Sequence, residues 1–351
     1  MARSSGGAAQ RRTAGPPSIR DVAAAAGVSH QTVSRVLNDS PRVSPDTRRQ
    51  VLEAIERLGY RPNRAARALG FGRARGVTVV TADTTLYGYA STLHGIEEAA
   101  RPAGLSVGIR VVESARAEDV RHAVEHVSDP SAGGVIVIAF DAAGAAVLRA
   151  LPDDVPAVAA TEAGGLPDVS RRTIFLDERR AAVDATRHLL SLGHRTVHHV
   201  AIPSETGTSA RQAGWRDALE QAGAPVPTVL PGGWEPRSAY QAGRALAADP
   251  LVTAVLCGND TTAVAVRRAL YDAGRDVPGD VSVVGFDDVP GAEFWTPALT
   301  TVRMDFAGLG RACLVALLSD DPADQGARVD LDPPCLVVRE STAPPGAGTG
   351  T

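Results

Sequence analysis

Two sets of polar side chains in this sequence have the types and spacing to recognise other molecules. The first is Gln31, Ser34 and Arg35, with His30 ahead of them, inside residues 18–37, SIRDVAAAAGVSHQTVSRVL. Gln pairs bidentately with adenine and Arg with guanine, so these residues on one outward helix face suit a DNA major groove. The second set is Arg211 in SARQAGW, Asn259 in CGND and Asp287 in VGFDDVP. A sugar hydroxyl both donates and accepts, and Asp, Asn and Arg together offer both kinds of partner. An arginine fork can also bond two neighbouring hydroxyls. Plainer readings stand beside these: a helical hairpin with a solvated face, turn or cap roles for Asn259 and Asp287, and simple packing for Trp234 in GGW.

Catalytic sets are missing from the sequence. All 36 basic residues are arginine, which removes the P-loop, Schiff-base and kinase lysines. H-E-x-x-H does not occur. Cys257, Cys313 and Cys335 are far apart with no C-x-x-C pair, which argues against zinc and a disulfide framework and for a reducing cytoplasm. The expectation is a binding protein, not an enzyme, with no cofactor and no metal. No stretch approaches the ~18 apolar residues of a membrane span. The first 17 residues hold no hydrophobic run and are no secretory signal, so a membrane partner is not expected and the place expected is the cytoplasm, at the nucleoid.

The elements that must position the first set are short helices. Ser18 with Asp21 three residues on reads as a capping box. Ile19, Val22 and Ala23 give an apolar face, and Gly27 stops the helix in the left-handed conformation. Ser29 caps the next helix, whose inner stripe is Val33, Val36 and Leu37, with Val28 at the turn. The outward residues then lie on the second helix of a helix-turn-helix, the one that reads bases near its N-terminus. A third helix follows Ser44 and Pro45, with Val51, Leu52, Ile55 and Leu58 inside and Gly59 at its end. Charge separates this head from the rest. Residues 1–75 carry 14 Arg against 5 acids, net +9, and residues 76–351 carry 22 Arg against 35 acids, net −13. A basic head on an acidic body is the electrostatic footprint of nucleic-acid binding confined to one end.

Pro62 to Gly70 spans a potential helix of roughly two turns, too short to be stable alone in water, and 70–76 is a flexible basic connector. From Val77 on, strands alternate with helices, which predicts a parallel α/β sheet. Strands are expected at 77–82, 105–112 and 133–139, and the pattern restarts near 173. Strands at 174–176, 197–202, 226–230, 252–256 and 281–286 alternate with helices near 179–192, 210–222, 237–247 and 260–273. Two such units face each other across a cleft, and ligands bind there at strand C-terminal ends. Residues 299–302 and a helix at 306–318 return to the first unit, and 336–338 finish on the second. The tail after 340 is Pro/Gly/Thr-rich and is expected to be disordered.

The run GVSHQTVSRVLNDSPRVSPDTRRQVLEAIERLGYRPNRAARAL closely resembles the DNA-binding head of the LacI/GalR family of bacterial transcription regulators, and the likeness continues to Glu340. It is strongest to the family's lac repressor branch, through HQTVSR, SARQAGW, GGW and LTTVRMDF. The resemblance implies an α/β fold with a three-helix helix-turn-helix head plus hinge helix, joined to a periplasmic-binding-protein-like core of two α/β subdomains. It implies a disordered tail (1–17), a head (18–61), a hinge helix and linker (62–75) and a core (76–340). The core subdomains are about 76–172 with 303–330, and about 173–302 with 331–340; residues 341–351 form a second tail. DNA contacts are implied for Ser29, His30, Gln31, Thr32, Ser34, Arg35 and Asn38. In the hinge they are implied for Asn63, Arg64, Ala66 and Leu69, the leucine wedging between base pairs of the minor groove. Effector contacts are implied for Leu86, Arg211, Trp234, Asn259, Asp287 and Phe306. Partners implied are a palindromic operator duplex, a second copy of the chain and a small-molecule effector, probed first as a sugar or glycoside. A purine corepressor is the alternative within the family, and a solute receptor without DNA function the alternative outside it. Nothing after Glu340 has the leucine repeat of a tetramerising tail, so a dimer is expected. Two departures bear on the ligand: Thr161 stands where the branch carries a ligand-binding Asp, and Met304 where it carries a Gln. Both remove polar contact.

Overall fold

A computed structural model describes residues 17–37, 40, 42–60, 76–128, 133–161, 170–204, 208–319 and 331–346. The chain divides into two compact units at Arg73 and Ala74. The expected hinge helix, with Asn63, Arg64, Ala66 and Leu69, lies outside the described residues, as does Asn38.

The head holds α1 (Ile19–Ala26), α2 (His30–Leu37) and α3 (Pro45–Leu58). The capping box forms: Ser18 N donates to Asp21 Oδ2 at 2.7 Å, and Asp21 N donates to Ser18 Oγ. Gly27 ends α1 at φ 63°, a conformation that disfavours any residue with a Cβ. Val22, Val33, Val36, Val51, Ala23 and Ala54 make the buried core, flanked by Ile19, Val28, Leu37 and Leu58. A core that small is marginal in isolation.

The second unit contains two parallel sheets. The first runs β2-β1-β3-β4-β5, from β1 (Gly76–Thr81), β2 (Ser106–Val111), β3 (Gly134–Ala139), β4 (Ala157–Thr161) and β5 (Arg172–Phe175). Its helices are α4 (Tyr87–Ala100), α5 (Ala117–Val127) and α6 (Ala142–Ala150). The second runs β7-β6-β8-β9, from β6 (His198–Ala201), β7 (Leu230–Pro231), β8 (Ala254–Cys257) and β9 (Ser282–Val284). Its helices are α7 (Glu178–Ser191), α8 (Ala210–Gln221), α9 (Pro236–Ala247) and α10 (Asp260–Asp272). Then β10 (Thr301–Arg303) leads to α11 (Phe306–Leu318), and β11 (Cys335–Val337) returns to pair antiparallel with β10. Helix α11 lies on α4 at backbone contact. A Cβ on Gly95 would collide with the Ala307 carbonyl, and one on Gly310 with the Thr92 carbonyl, so glycine at both positions sets the closeness of this pair.

Five expectations need correction. Leu52, expected inside the stripe of α3, is 52% exposed, and Val51 and Ala54 are the residues that helix buries. Residues 173–175, placed with the second subdomain when the pattern restarts near 173, belong with Arg172 to the fifth strand of the first sheet, paired with β4. Periodicity reports a strand but not its neighbour. The strand expected at 226–230 shrinks to Leu230–Pro231, since Pro225 and Pro227 remove ladder donors. Helix α6 and strand β4 fill a stretch where no alternation was read. Finally, the tail expected to be disordered from 341 is fixed through 346. Ser341 is fully buried, donates to Val283 O at 2.6 Å and accepts from Thr300 N at 2.8 Å. Ala343 N donates to Ser282 Oγ, and His194 bonds Ala343 O at 3.0 Å. Composition cannot reveal that serine and backbone groups will find buried partners.

Candidate functional site

On α2, Ser29, His30, Gln31 and Arg35 are exposed while Thr32 and Ser34 are half-buried. Ser29 Oγ accepts from Thr32 N at 3.1 Å, capping α2. Val33 and Val36 turn inward, which leaves the Gln and Arg on the solvent face. The head therefore presents a capped helix with a polar outer face, the polarity expected of a groove reader.

In the second unit, Leu86, Arg211, Trp234, Asn259, Asp287 and Phe306 all line one cavity, together with Tyr87, Gly88, Tyr89, Phe140, Glu178, Ile202 and Thr261. The convergence follows from topology. Leu86 precedes α4 without a side-chain cap, Glu178 opens α7, and Arg211 sits in the first turn of α8. Asn259 caps α10, its Oδ1 accepting from Thr262 N at 2.7 Å, and Phe306 opens α11. Phe140 and Ile202 directly follow β3 and β6. Strand C-termini and helix N-termini meet here, and the helix ends favour negative charge and hydrogen-bond acceptors.

Arg211 is the electrostatic centre. It is 5% exposed, pairs with Glu178 at 2.9 Å and Asp287 at 3.1 Å, and donates to Gly258 O. Its guanidinium lies 4.2 Å from the Phe286 ring centroid. Burial pushes the Asp287 carboxyl up to about 7; Asp260 and Glu178 add to the rise and Arg211 opposes it. Burial likewise raises Asp260 to about 6, against hydrogen bonds from Thr301 Oγ1 and Val289 N. Asp287 holds φ at 109°, a left-handed conformation costing about 1–3 kcal/mol. The next residue anchors it: Asp288 pairs with Arg303 at 2.8 Å and Arg339 at 2.7 Å. Asp287 Oδ1 makes no aligned hydrogen bond; it is a buried acceptor facing the cavity.

The opposite wall is aromatic. Of the chain's 14 aromatic residues, Tyr87, Tyr89, Phe140, Trp234 and Phe306 line this one cavity, a concentration that packing alone does not require. Tyr89 meets Phe140 and Trp234 edge-on at 5.2 and 6.5 Å, and Tyr87 meets Phe306 at 6.2 Å. The space left is about 50 Å³, room for a few waters, so a hexose enters only if the lining side chains give way. Thr161 and Met304 are buried and line no part of it; Thr161 Oγ1 has no hydrogen-bond partner. A larger groove of about 490 Å³ follows α10 elsewhere. Its Arg267 and Arg275 donate to backbone carbonyls of Pro297, Asp249 and Val252, and none of the expected residues lies there.

Sequence reasoning missed Glu178, Tyr87, Tyr89, Phe140, Ile202 and Thr261. Phe140 and Ile202 carried a usable signal, since each immediately follows an apolar strand. Glu178 carried none beyond its place at a helix start. Among the described residues, no group of three or more His, Cys, Asp or Glu is placed to hold a metal ion, and no helix is long and apolar enough to cross a membrane.

Comparison with known proteins fits both units. Residues 18–63 match the family described as bacterial regulatory proteins, lacI family, and residues 186–342 match the periplasmic binding protein-like domain. The lactose operon repressor of Escherichia coli is 32% identical, over 96% of this chain and 93% of its own length. The HTH-type transcriptional repressor PurR of Haemophilus influenzae is 30% identical, over 92% and 98%. A crystal structure of the lac repressor dimer, bound to operator and the anti-inducer ONPF, superimposes with a TM-score of 0.83 at 31% identity, over 94% of this chain and all of that one. With a basic helix-turn-helix head, a two-sheet core and near full-length likeness to such repressors, the chain belongs to the lacI family of bacterial regulatory proteins and is a DNA-binding transcriptional repressor.

Proposed function

We propose that the chain is an inducible repressor whose effector is a neutral sugar or glycoside bound in the cavity. The observation that carries this is the pairing of walls: buried Arg211, Glu178 and Asp287 with half-buried Asn259 on one side, aromatic rings on the other. Hydroxyls need charged and amide partners, and the C–H face of a pyranose needs a ring. The head reads a two-fold operator as a homodimer through Ser29, His30, Gln31, Thr32, Ser34 and Arg35, with Asn38 and the hinge residues completing the contact. The homodimer is supported by the dimeric lac repressor structure. Sugar makes the lining side chains give way and favours the state with weaker DNA affinity; the coupling is reciprocal, so operator must weaken sugar binding equally. A thermal-shift screen of sugars, followed by mobility shift on the chain's own upstream promoter with and without each hit, tests this. A hit that raises the melting temperature yet leaves operator binding unchanged overturns the inducer role.

A purine corepressor is the second reading, favoured by the likeness to PurR and by rings able to stack a base. A purine would then strengthen operator binding where a sugar weakens it.

A further inference from the structure

We infer that Glu178 sets what the cavity admits: its carboxylate fills the anion position against Arg211, so the site takes an uncharged sugar and turns away sugar phosphates and sugar acids. The inference rests on the sugar reading above and sharpens it. The charged side chains lining the cavity are Glu178, Arg211 and Asp287, two carboxylates against one guanidinium. Helices α4, α7, α8, α10 and α11 all begin at the lining, through Leu86, Glu178, Arg211, Asn259 and Phe306. Helix N-termini and an arginine together attract an anion. The protein supplies that anion itself. Glu178 Oε1 accepts from Arg211 Nη2 at 2.9 Å, and Asp287 Oδ1 lies 3.1 Å from Nη1.

Glu178 is committed to this place and not to its own helix. The N-cap of α7 is Asp177, whose Oδ1 accepts from Arg180 N at 3.0 Å, and the Glu178 side chain is turned inward and buried. Helices α7 and α8 touch at backbone level beside it. A Cβ on Gly214 would collide with the Arg179 carbonyl oxygen, so the closeness of the two helices fixes Glu178 against Arg211. A counterion for Arg211 needs one carboxylate, and Asp287 already is one. With Asp287 ionised, one positive charge against two negative leaves the lining at a net −1, and a surplus buried charge is a cost to the fold. Its effect is a repulsive field over the site. The field reaches the far wall: the Tyr87 hydroxyl is less acidic than usual, through burial first, against a hydrogen bond with Ser91, and then through the carboxylates of Asp287, Asp288 and Asp260. An uncharged hydroxyl can still donate to these carboxylates. A phosphate or carboxylate on the ligand meets like charge at short range, and such repulsion is a source of selectivity.

The test is calorimetric titration of the full chain at pH 8 with glucose, galactose, and the uronamide and uronate of each. Carboxamide and carboxylate are nearly the same size, so each pair differs in charge. In the series that binds, the uronamide is expected to bind roughly thirtyfold tighter than the uronate, the scale of one like-charge contact a few ångströms away at the effective dielectric of a protein site. Glu178→Gln keeps an acceptor for Arg211 and removes the charge, and should bring that ratio to about threefold or less. Glu178→Asp keeps the charge and should keep the preference, which a merely structural role would not separate from the Gln variant. Equal treatment of uronamide and uronate by the wild type, whether both bind or both are excluded, overturns the charge inference while the sugar reading stands. A ratio as large in Glu178→Gln as in wild type overturns the assignment to Glu178. Binding of none of these compounds overturns the sugar reading and this inference with it.

Discussion

The head and the ligand-binding unit solve recognition in opposite ways. The head keeps a minimal aliphatic core and turns the groups proposed to read bases to solvent, Gln31 and Arg35 exposed on one eight-residue helix. The core buries its charges: Arg211 is 5% exposed and Asp287 7%, and their partners come from helices far apart in the chain. An exposed base-reading residue can be removed without disturbing its scaffold. A buried charge removed leaves its partners uncompensated. The difference predicts separable effects in the head and inseparable ones in the cavity.

The sharpest break is Arg211→Ala. It strands Glu178 and Asp287 as buried carboxylates, and loss of one partner from a buried pair costs about 3–5 kcal/mol. Calorimetry should show the melting temperature falling by roughly 10 °C, together with loss of effector response. A variant that melts with wild type but ignores effector would mean that Arg211 serves the ligand alone and the two units are more alike than argued.

In the head, Gln31→Ala and Arg35→Ala should each cost about 1–3 kcal/mol of operator affinity. The core's melting temperature should stay within a degree or so of wild type, because surface substitutions shift stability by only about ±0.5 kcal/mol. Titration on operator and random duplexes separates base reading from phosphate attraction; equal losses on both would remove these residues from base reading. Leu69→Gly extends the comparison to the hinge, where operator binding should fall far more than non-specific binding.

Protonation gives the smaller effects. Asp287, held near 7, is the stronger acceptor when ionised, so effector affinity should fall by up to about tenfold from pH 8 to pH 6. A flat profile would place the ligand away from Asp287. Stability should move the other way. The folded state binds more protons at Asp260 and Asp287 than the unfolded chain does, so this contribution is full below about pH 4 and is lost as pH rises through about 6 and 7. His199, fully buried and lowered to about 4, opposes it: the unfolded state holds that proton until about 6.5, so stability rises with pH from 4 to 6.5. Comparison with Asp287→Asn isolates one contribution. The stability advantage of wild type over this variant should shrink steadily from pH 4 to 7 in urea titrations, and an advantage that grows would reverse the assignment.

Much of this molecule was legible from residue order. Ser18, Gly27, Ser44 and Gly59 bound the head helices because caps act within four residues of their own position. The inward valines and outward Gln31 and Arg35 follow from a period of 3.6. Arg211, Asn259 and Asp287 could be picked out because each follows a strand or starts a helix. Local sequence could not say that β5 belongs to the first sheet or that residues 341–346 are tied down by Ser341 and His194. It could not gather Tyr87, Tyr89, Phe140 and Glu178 beside them, nor show that Arg211 is held by its own protein's carboxylates. Those facts depend on contacts between residues dozens to hundreds of positions apart. Periodicity and capping are set by bonds within a turn or two of helix, whereas burial, ion pairing and a shifted proton affinity exist only once distant segments exclude water together.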